Sequence, residues 1–119
     1  DVAFGPLNLG LDRDAARDVA LETLCLLGLE GFEHRLTHKL SGGEKKLVCL
    51  AAVLSMRPEA LLLDEPAAGL DQAAEERLIA ILQTLPAARL VISHDREFLR
   101  NTVSQALTIA NGRLEMISF

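Results

Sequence analysis

Two short apolar runs, each followed at once by ionisable residues, constrain the fold of this chain more than any other feature. They are ALLLDEP at residues 60–66 and RLVISHD at residues 89–95. A short continuous apolar run is typical of a strand that is buried on both faces, as in a parallel sheet. Ligands bind beyond the carboxyl ends of parallel strands, so the ionisable residues are expected at a binding edge.

Segments with helical periodicity precede, separate and follow these two predicted strands. Apolar residues recur at helical spacing in residues 14–27, 43–56 and 71–85, and a shorter helix is expected at 95–101. Near the end of the chain, Asn-Gly joins two strand-like runs within residues 106–117, which predicts a β-hairpin. Strands that alternate with helices indicate an α/β fold with parallel strands and a C-terminal hairpin. The segments expected to be irregular are residues 1–13 and 28–40.

Composition excludes several classes of function. The net charge is −5, the aromatic content is 3%, and Trp and Tyr are absent. The chain therefore has neither the positive charge nor the stacking side chains that nucleic-acid binding uses, and its core is expected to be aliphatic. Cys25 and Cys49 lie in apolar helical segments and are predicted to be buried free thiols. No apolar run approaches the roughly 18 residues that a membrane span needs.

The segment LSGGE at residues 40–44 opens the second long helix. Ser41 is a natural N-cap, and Glu44, three residues later, completes a capping-box pattern. The free N–H groups and the positive dipole end of a helix favour phosphate, and Gly42 and Gly43 let the backbone approach closely. The same peptide is also a good helix cap without any ligand, so both interpretations stay open for this segment alone.

Two carboxylates and a histidine follow the predicted strands. Asp64 at the strand end is suited to hold Mg²⁺, and Glu65 beside it is suited to polarise an attacking water molecule. A solvated acidic junction between strand and loop is the alternative. His94, at the tip of the second strand, can donate a hydrogen bond to a phosphate oxygen, although a single histidine does not establish that role.

Taken together, these segments resemble the ATP-binding subunits of ABC transporters. LSGGE (40–44) resembles the signature motif, LLLDEP (61–66) the Walker B strand with the catalytic glutamate, AGLD (68–71) the D-loop, and ISHD (92–95) the switch-histidine loop. The stretch VAFGPLNLGL (2–11) is similar to the helical subdomain of cobalt, nickel and energy-coupling-factor importers.

The resemblance implies a partial P-loop NTPase fold of the ABC ATPase type in a single domain. Residues 1–56 would form the helical subdomain and signature helix, and residues 57–119 the C-terminal part of the catalytic core. It implies that Glu65 and His94 are catalytic and that Asp64 binds Mg²⁺. The residues implied to contact ATP are Ser41, Gly42, Gly43, Glu44 and Asp71.

The resemblance also implies partners and a location. ATP would bind between two ATPase subunits, so that the signature residues contact the nucleotide of the opposite subunit and Asp71 contacts that subunit. Transmembrane subunits would complete the transporter, and the chain would lie peripherally on the cytoplasmic face of the membrane. No nucleic acid is expected as a partner. The driven process would be import of a metal ion of the cobalt or nickel type, or of a vitamin.

The phosphate-binding Walker A motif, G-x-x-x-x-G-K-[ST], does not occur in the 119 residues. We therefore expect the chain to be the C-terminal portion of an ABC ATPase without the Walker A strand and loop, and to be inactive alone. Two alternatives remain: an ABC ATPase that acts on DNA, and a non-catalytic interaction module derived from an ATPase. The acidic charge opposes the first, and the presence of Asp64, Glu65 and His94 opposes the second.

Overall fold

The computed structural model describes residues 1–118, which form five α-helices, four β-strands and two short 3-10 turns. The helices are α1 (Phe4–Asn8), α2 (Arg13–Leu26), α3 (Gly42–Leu54), α4 (Gln72–Thr84) and α5 (Arg96–Thr102). The strands are β1 (Ala60–Asp64), β2 (Ala88–Ile92), β3 (Ala106–Ala110) and β4 (Arg113–Ile117). The 3-10 turns are Phe32–His34 and Thr37–Lys39.

Strands β1 and β2 are parallel neighbours, as the two apolar runs predicted. The register places Ala60 opposite Ala88 and Asp64 opposite Ile92. The pairing continues one residue beyond β1, because the Glu65 N–H donates to the Ile92 carbonyl at 2.8 Å. Helix α4 connects the two strands, so their carboxyl ends lie at the same edge of the sheet.

The prediction that both strands are buried on both faces is wrong for the described residues. Leu61 is buried, but Leu62 is 81% exposed, and Leu90 and Ile92 are 60% and 57% exposed. Side chains alternate between the faces of a strand, and the buried cluster around Leu61 takes its other members from α4 and α5. One face of the sheet is therefore packed within residues 1–118, and the other is open.

Two clusters of buried side chains form the core. The first joins the N-terminal residues, α2 and α3 through Leu24, Leu27 and Leu47. The second lies between β1, α4 and α5, and it is built from Leu61, Leu78, Leu82 and Phe98. Leu50 and Leu70 are partly buried and pack against both clusters, so α3 and the loop before α4 connect them.

The expected all-aliphatic core is wrong at Phe98. Its ring is fully buried and is the largest of the fully buried side chains. Asp95 caps α5 by accepting hydrogen bonds from the N–H groups of Glu97 and Phe98, which fixes the start of the helix that carries Phe98.

Strands β3 and β4 form the predicted antiparallel hairpin. Asn111 and Gly112 both have positive φ, 50° and 73°, which a two-residue type I′ turn requires. One face of the hairpin carries two cross-strand pairs of apolar residues, Leu107 with Met116 and Ile109 with Leu114. All four side chains are exposed.

The N-terminal segment is more regular than expected. Residues 4–8 form α1, whereas residues 1–13 were predicted to be irregular. Pro6 lies in the first turn of this helix, where its missing N–H costs no intrahelical hydrogen bond. Gly10, at φ 96°, lies just after the helix end. Residues 28–40 lack long elements, as expected, and contain only the two 3-10 turns.

The two cysteines are free but exposed, so their predicted burial is wrong. Cys49 lies two residues from both Leu47 and Ala51, the buried side chains of α3, and therefore projects from the other side of that helix. Cys25 follows Leu24, a buried residue of α2, and its thiol contacts Glu30 at 3.5 Å. Apolar neighbours in sequence predicted burial, but helical rotation places both thiols outside.

We predict that Phe98→Ala lowers the free energy of unfolding by about 3–5 kcal/mol, because it leaves a cavity in the cluster between β1, α4 and α5. Phe4→Ala removes the same side chain from a position that is 71% exposed and should cost less than about 0.5 kcal/mol. Urea unfolding followed by circular dichroism measures both. Equal losses for the two variants would contradict the described core.

Candidate functional site

The first part of the site is the N-terminus of α3, where the predicted capping box is present. The Ser41 hydroxyl accepts a hydrogen bond from the Glu44 N–H at 3.2 Å, and the Glu44 carboxylate accepts one from the Ser41 N–H at 2.7 Å. Gly42 and Gly43 are the first two residues of the helix, so their N–H groups have no partner within it. The donors that remain for an anion are these two N–H groups and the Ser41 hydroxyl hydrogen.

Glu44 caps the helix with its carboxylate held among hydrogen-bond donors. The pKa of Glu44 is lowered, mainly by the hydrogen bond from the Ser41 N–H, then by the Ser41 side chain, and least by Arg35. The Arg35 Nη1 lies 3.2 Å from Glu44 Oε1, and its guanidinium stacks over the Phe32 ring at 4.1 Å. This ion pair offsets the negative charge that Glu44 adds at the start of α3.

The start of α3 also lies against the loop that follows β1. A Cβ atom added at Gly43 would be 3.3 Å from the Gly69 carbonyl oxygen and 3.7 Å from a methyl group of Leu70. Gly43 therefore lets the predicted signature segment approach the predicted D-loop segment within the same chain. Asp71, at the end of that loop, caps α4 by accepting from the Ala74 N–H at 2.8 Å.

The second part of the site lies at the carboxyl ends of β1 and β2. Glu65 Oε1 accepts a hydrogen bond from the His94 N–H at 3.1 Å and lies 3.3 Å from His94 Nε2. The Ser93 hydroxyl approaches Glu65 Oε2 at 3.4 Å. The structure thus brings together two residues, Glu65 and His94, that are 29 positions apart in sequence.

Glu65 itself has an unusual backbone conformation. Its φ is 44°, in the left-handed region that costs a non-glycine residue about 1–3 kcal/mol unless its surroundings hold it there. The N–H of Glu65 is held by Ile92, and its carboxylate is held by Ser93 and His94. The imidazole of His94 is 98% exposed, so this pair faces an open surface.

Asp64 is exposed at the last position of β1. Among residues 1–118, no hydrogen bond or ion pair engages its carboxylate, and no group of three His, Cys, Asp or Glu side chains forms a metal cluster. A single free carboxylate at a strand end is compatible with Mg²⁺ that takes its remaining ligands from phosphate and water.

Three residues of this region were missed by sequence reasoning. Ser93 supports Glu65, Arg35 pairs with Glu44, and the Lys46 ammonium donates to the carbonyl oxygens of Glu65 and Ala68. Ser93 is part of the segment ISHD, and its position next to His94 was the one available signal. Arg35 contacts a residue nine positions away, and Lys46 contacts residues 19 and 22 positions away, and no sequence pattern predicts either contact.

Comparison with known proteins identifies the family. The ABC transporter family model matches residues 8–68, just over half of the chain. The chain belongs to the ABC transporter family. Among the helices of residues 1–118, none combines the length and the apolar composition that a membrane span requires.

The relatives are ATP-binding subunits. The chain is 58% identical over 112 residues to an ATP-binding protein assigned to ABC transporters in Nitratidesulfovibrio vulgaris, covering 94% of this chain and 41% of the relative. It is 44% identical over 117 residues to the cobalt import ATP-binding protein CbiO of Rhodobacter capsulatus, covering 96% and 42%. It is 41% identical over 117 residues to the energy-coupling factor transporter ATP-binding protein EcfA of Methanothermobacter thermautotrophicus, covering 96% and 38%.

A solved structure confirms the fold class. The chain superposes on cbiO1 from Clostridium perfringens, part of the transporter complex cbiONQ, with a TM-score of 0.81 at 33% identity. The match covers 97% of this chain and 47% of cbiO1. The chain is thus an α/β fragment of the ABC ATPase fold, and it spans less than half the length of each of these relatives.

We predict that Glu44→Gln makes the folded chain less sensitive to acid. The carboxylate has a folded-state pKa below the ordinary value of 4.5, so it stabilises the fold above that value and loses this contribution as pH falls through the folded pKa. Gln keeps the capping box without titrating. Urea midpoints between about pH 6 and about pH 3 should therefore fall less for Glu44→Gln than for the natural chain.

Ser41→Ala is the matched control for this titration. It removes the hydroxyl but keeps the N–H that contributes most to lowering the pKa of Glu44, so part of the acid sensitivity should remain. Identical slopes for the natural chain and Glu44→Gln would show that the Glu44 carboxylate does not stabilise this helix end.

Proposed function

We propose that the chain is the C-terminal part of the ATP-hydrolysing subunit of an importer for a metal ion of the cobalt or nickel type, or for a vitamin. The observation that carries this proposal is the contact between Glu65 and His94 at the carboxyl ends of β1 and β2. A connection between strand and loop that has only a structural role does not require an acidic residue in a strained backbone conformation next to an exposed imidazole.

ATP and Mg²⁺ fit the residues that are present. The two glycine N–H groups and the Ser41 hydroxyl at the start of α3 would hold the terminal phosphate of ATP bound to the opposite subunit. Asp64 would hold Mg²⁺ together with phosphate oxygens and water. Mg²⁺ would neutralise charge on the phosphates. Glu44 and Asp71 are proposed as residues next to the nucleotide that act mainly as helix caps.

Glu65 is proposed as the general base. Its carboxylate would orient the attacking water and accept a proton from it, while the Ser93 hydroxyl and the His94 N–H keep the carboxylate oriented. The exposed His94 imidazole would donate a hydrogen bond to the γ-phosphate. Because His94 Nε2 also lies 3.3 Å from Glu65, phosphate and carboxylate would compete for this imidazole.

The proposed partners are a second ATPase subunit and transmembrane transporter subunits, with the chain on the cytoplasmic face of the membrane. CbiO is described as a cobalt import protein and cbiO1 as part of cbiONQ, which supports this choice of partner. The two buried clusters support a division at about residue 56, between a helical subdomain with the signature helix and the C-terminal part of the catalytic core.

Two other functions are less well supported. An ABC ATPase that acts on DNA would use positive surface charge, whereas this chain has a net charge of −5. A non-catalytic interaction module would have no need of the Glu65–His94 pair. A measurement of ATP hydrolysis distinguishes the enzyme from a non-catalytic module. A measurement of metal-ion uptake distinguishes the importer from other ABC ATPases.

We predict that Glu65→Gln strongly slows ATP hydrolysis without abolishing ATP binding. The test protein is a hybrid in which these residues replace the matching part of the Nitratidesulfovibrio vulgaris relative. Loss of the general base should lower kcat by about 10²–10⁴-fold, while ATP still binds to the remaining phosphate contacts. Phosphate release and equilibrium binding of ATP are measured.

Glu76→Gln, on the exposed side of α4, is the control and should retain full turnover. The chain of 119 residues alone should not hydrolyse ATP, because it contains no G-x-x-x-x-G-K-[ST] motif. Turnover by Glu65→Gln within about threefold of the unmodified hybrid would contradict the proposed role of Glu65.

We predict that a CbiO hybrid carrying these residues restores cobalt uptake to Rhodobacter capsulatus cells that lack CbiO. Uptake of radioactive cobalt is measured with the unmodified hybrid and with its Glu65→Gln variant, which should fail. A hybrid that hydrolyses ATP but does not restore uptake would contradict the assignment to cobalt import and leave the assignment as an ATPase intact.

A further inference from the structure

Lys46 connects α3 to the loop that carries Glu65. It is half-buried in the second turn of α3, five residues after Ser41. Its ammonium group donates one hydrogen bond to the carbonyl oxygen of Glu65 and a second, at 2.9 Å, to the carbonyl oxygen of Ala68. A lysine ammonium has three donors, so two of them are committed to this loop.

The two carbonyl groups belong to the turn that fixes the backbone after β1. The Glu65 carbonyl also accepts from the Ala68 N–H at 3.2 Å, and the Leu70 N–H donates to the Ala67 carbonyl at 3.0 Å. Lys46 therefore holds the peptide that leaves Glu65, the residue with φ 44°. Hydrogen bonds from a charged donor are stronger than those between neutral groups. The bond from Lys46 to the Glu65 carbonyl is therefore stronger than the bond from the Ala68 N–H to the same oxygen.

The same loop also contacts the first turn of α3. Gly43 lies against the Gly69 carbonyl, where an added Cβ atom would make a tight contact of 3.3 Å with the oxygen. Two successive turns of one helix, α3, therefore contact residues 65–70. A displacement of the α3 N-terminus would therefore also displace the backbone of Glu65.

We propose that Lys46 is a positioning residue that couples the two phosphate-facing parts of the chain. It would transmit contact between nucleotide and Ser41–Gly43 to the carboxylate of Glu65. This inference rests on the proposed function for the identity of the nucleotide, but the coupling itself is a property of the contacts. Because the signature end and Glu65 are assigned to different ATP molecules, Lys46 would link the two sites of a dimer through one chain.

The test compares Lys46→Met, which keeps the length and removes the donors, with Lys46→Arg, which keeps a cation that can donate. Lys45→Met is the matched control, because Lys45 is the exposed neighbour on the same helix. In the ATPase hybrid, Lys46→Met should lower kcat by about tenfold or more while the KM for ATP changes less than about twofold. Lys46→Arg should recover most of the loss, and Lys45→Met should resemble the unmodified hybrid.

Hydrogen exchange of the chain without nucleotide gives a second readout. Lys46→Met should speed exchange at the Ala68 and Leu70 amides by about tenfold and leave the α4 and β2 amides unchanged. This readout does not depend on ATP hydrolysis. If the unmodified hybrid is inactive, the proposed function fails while exchange still decides whether Lys46 holds the loop.

Three results would overturn the inference. A raised KM with unchanged kcat would indicate that Lys46 binds phosphate directly. Faster exchange throughout α4 and β2 would indicate a general structural role. Equal effects of Lys45→Met and Lys46→Met would show that the contacts to Glu65 and Ala68 have no specific role.

Discussion

The parallel pairing of β1 with β2 is the constraint on which the candidate site depends. Its register places Asp64 opposite Ile92, and the next N–H, that of Glu65, completes the ladder on the Ile92 carbonyl. A shift of one residue would turn every side chain of the strand to the other face. It would remove Leu61 from the core and Glu65 from His94, so burial on one face of the sheet fixes the geometry of the acid and the imidazole.

Helix α3 supplies the second constraint, since its beginning and its second turn serve different purposes. The capping box with Ser41 and Glu44 satisfies the helix end without using the glycine N–H groups, which stay available to an anion. One turn later, Lys46 binds the carbonyl groups of the loop after β1. Helix α3 therefore presents two free N–H groups at its start and, one turn later, holds the backbone of the loop that carries Glu65.

Local patterns in the sequence predicted the helices and strands, but they did not predict the long-range contacts between them. Asn111-Gly112 specified the hairpin, and Ser41 with Glu44 specified the start of α3, because both signals act within four residues. The prediction that both faces of β1 are buried was wrong. A continuous apolar run shows that both faces of a strand could be buried, but it does not show which elements cover them. Lys46 was missed for a related reason, since no local pattern shows that its side chain reaches carbonyl groups about 20 residues away.

The open faces of the fold follow from the same distinction. Leu62, Leu90 and Ile92 on the sheet, with Leu107 and Ile109 on the hairpin, keep large apolar areas exposed within the described residues. Large exposed apolar side chains that are grouped on one face normally mark a surface that another element covers. The site residues nevertheless hold their geometry without that cover, because the ladder from Glu65 to Ile92, the contact with His94 and the bonds from Lys46 all lie within residues 41–94. Support for the Glu65 carboxylate is therefore local to this part of the chain, whereas the nucleotide contacts proposed for it would involve a second subunit.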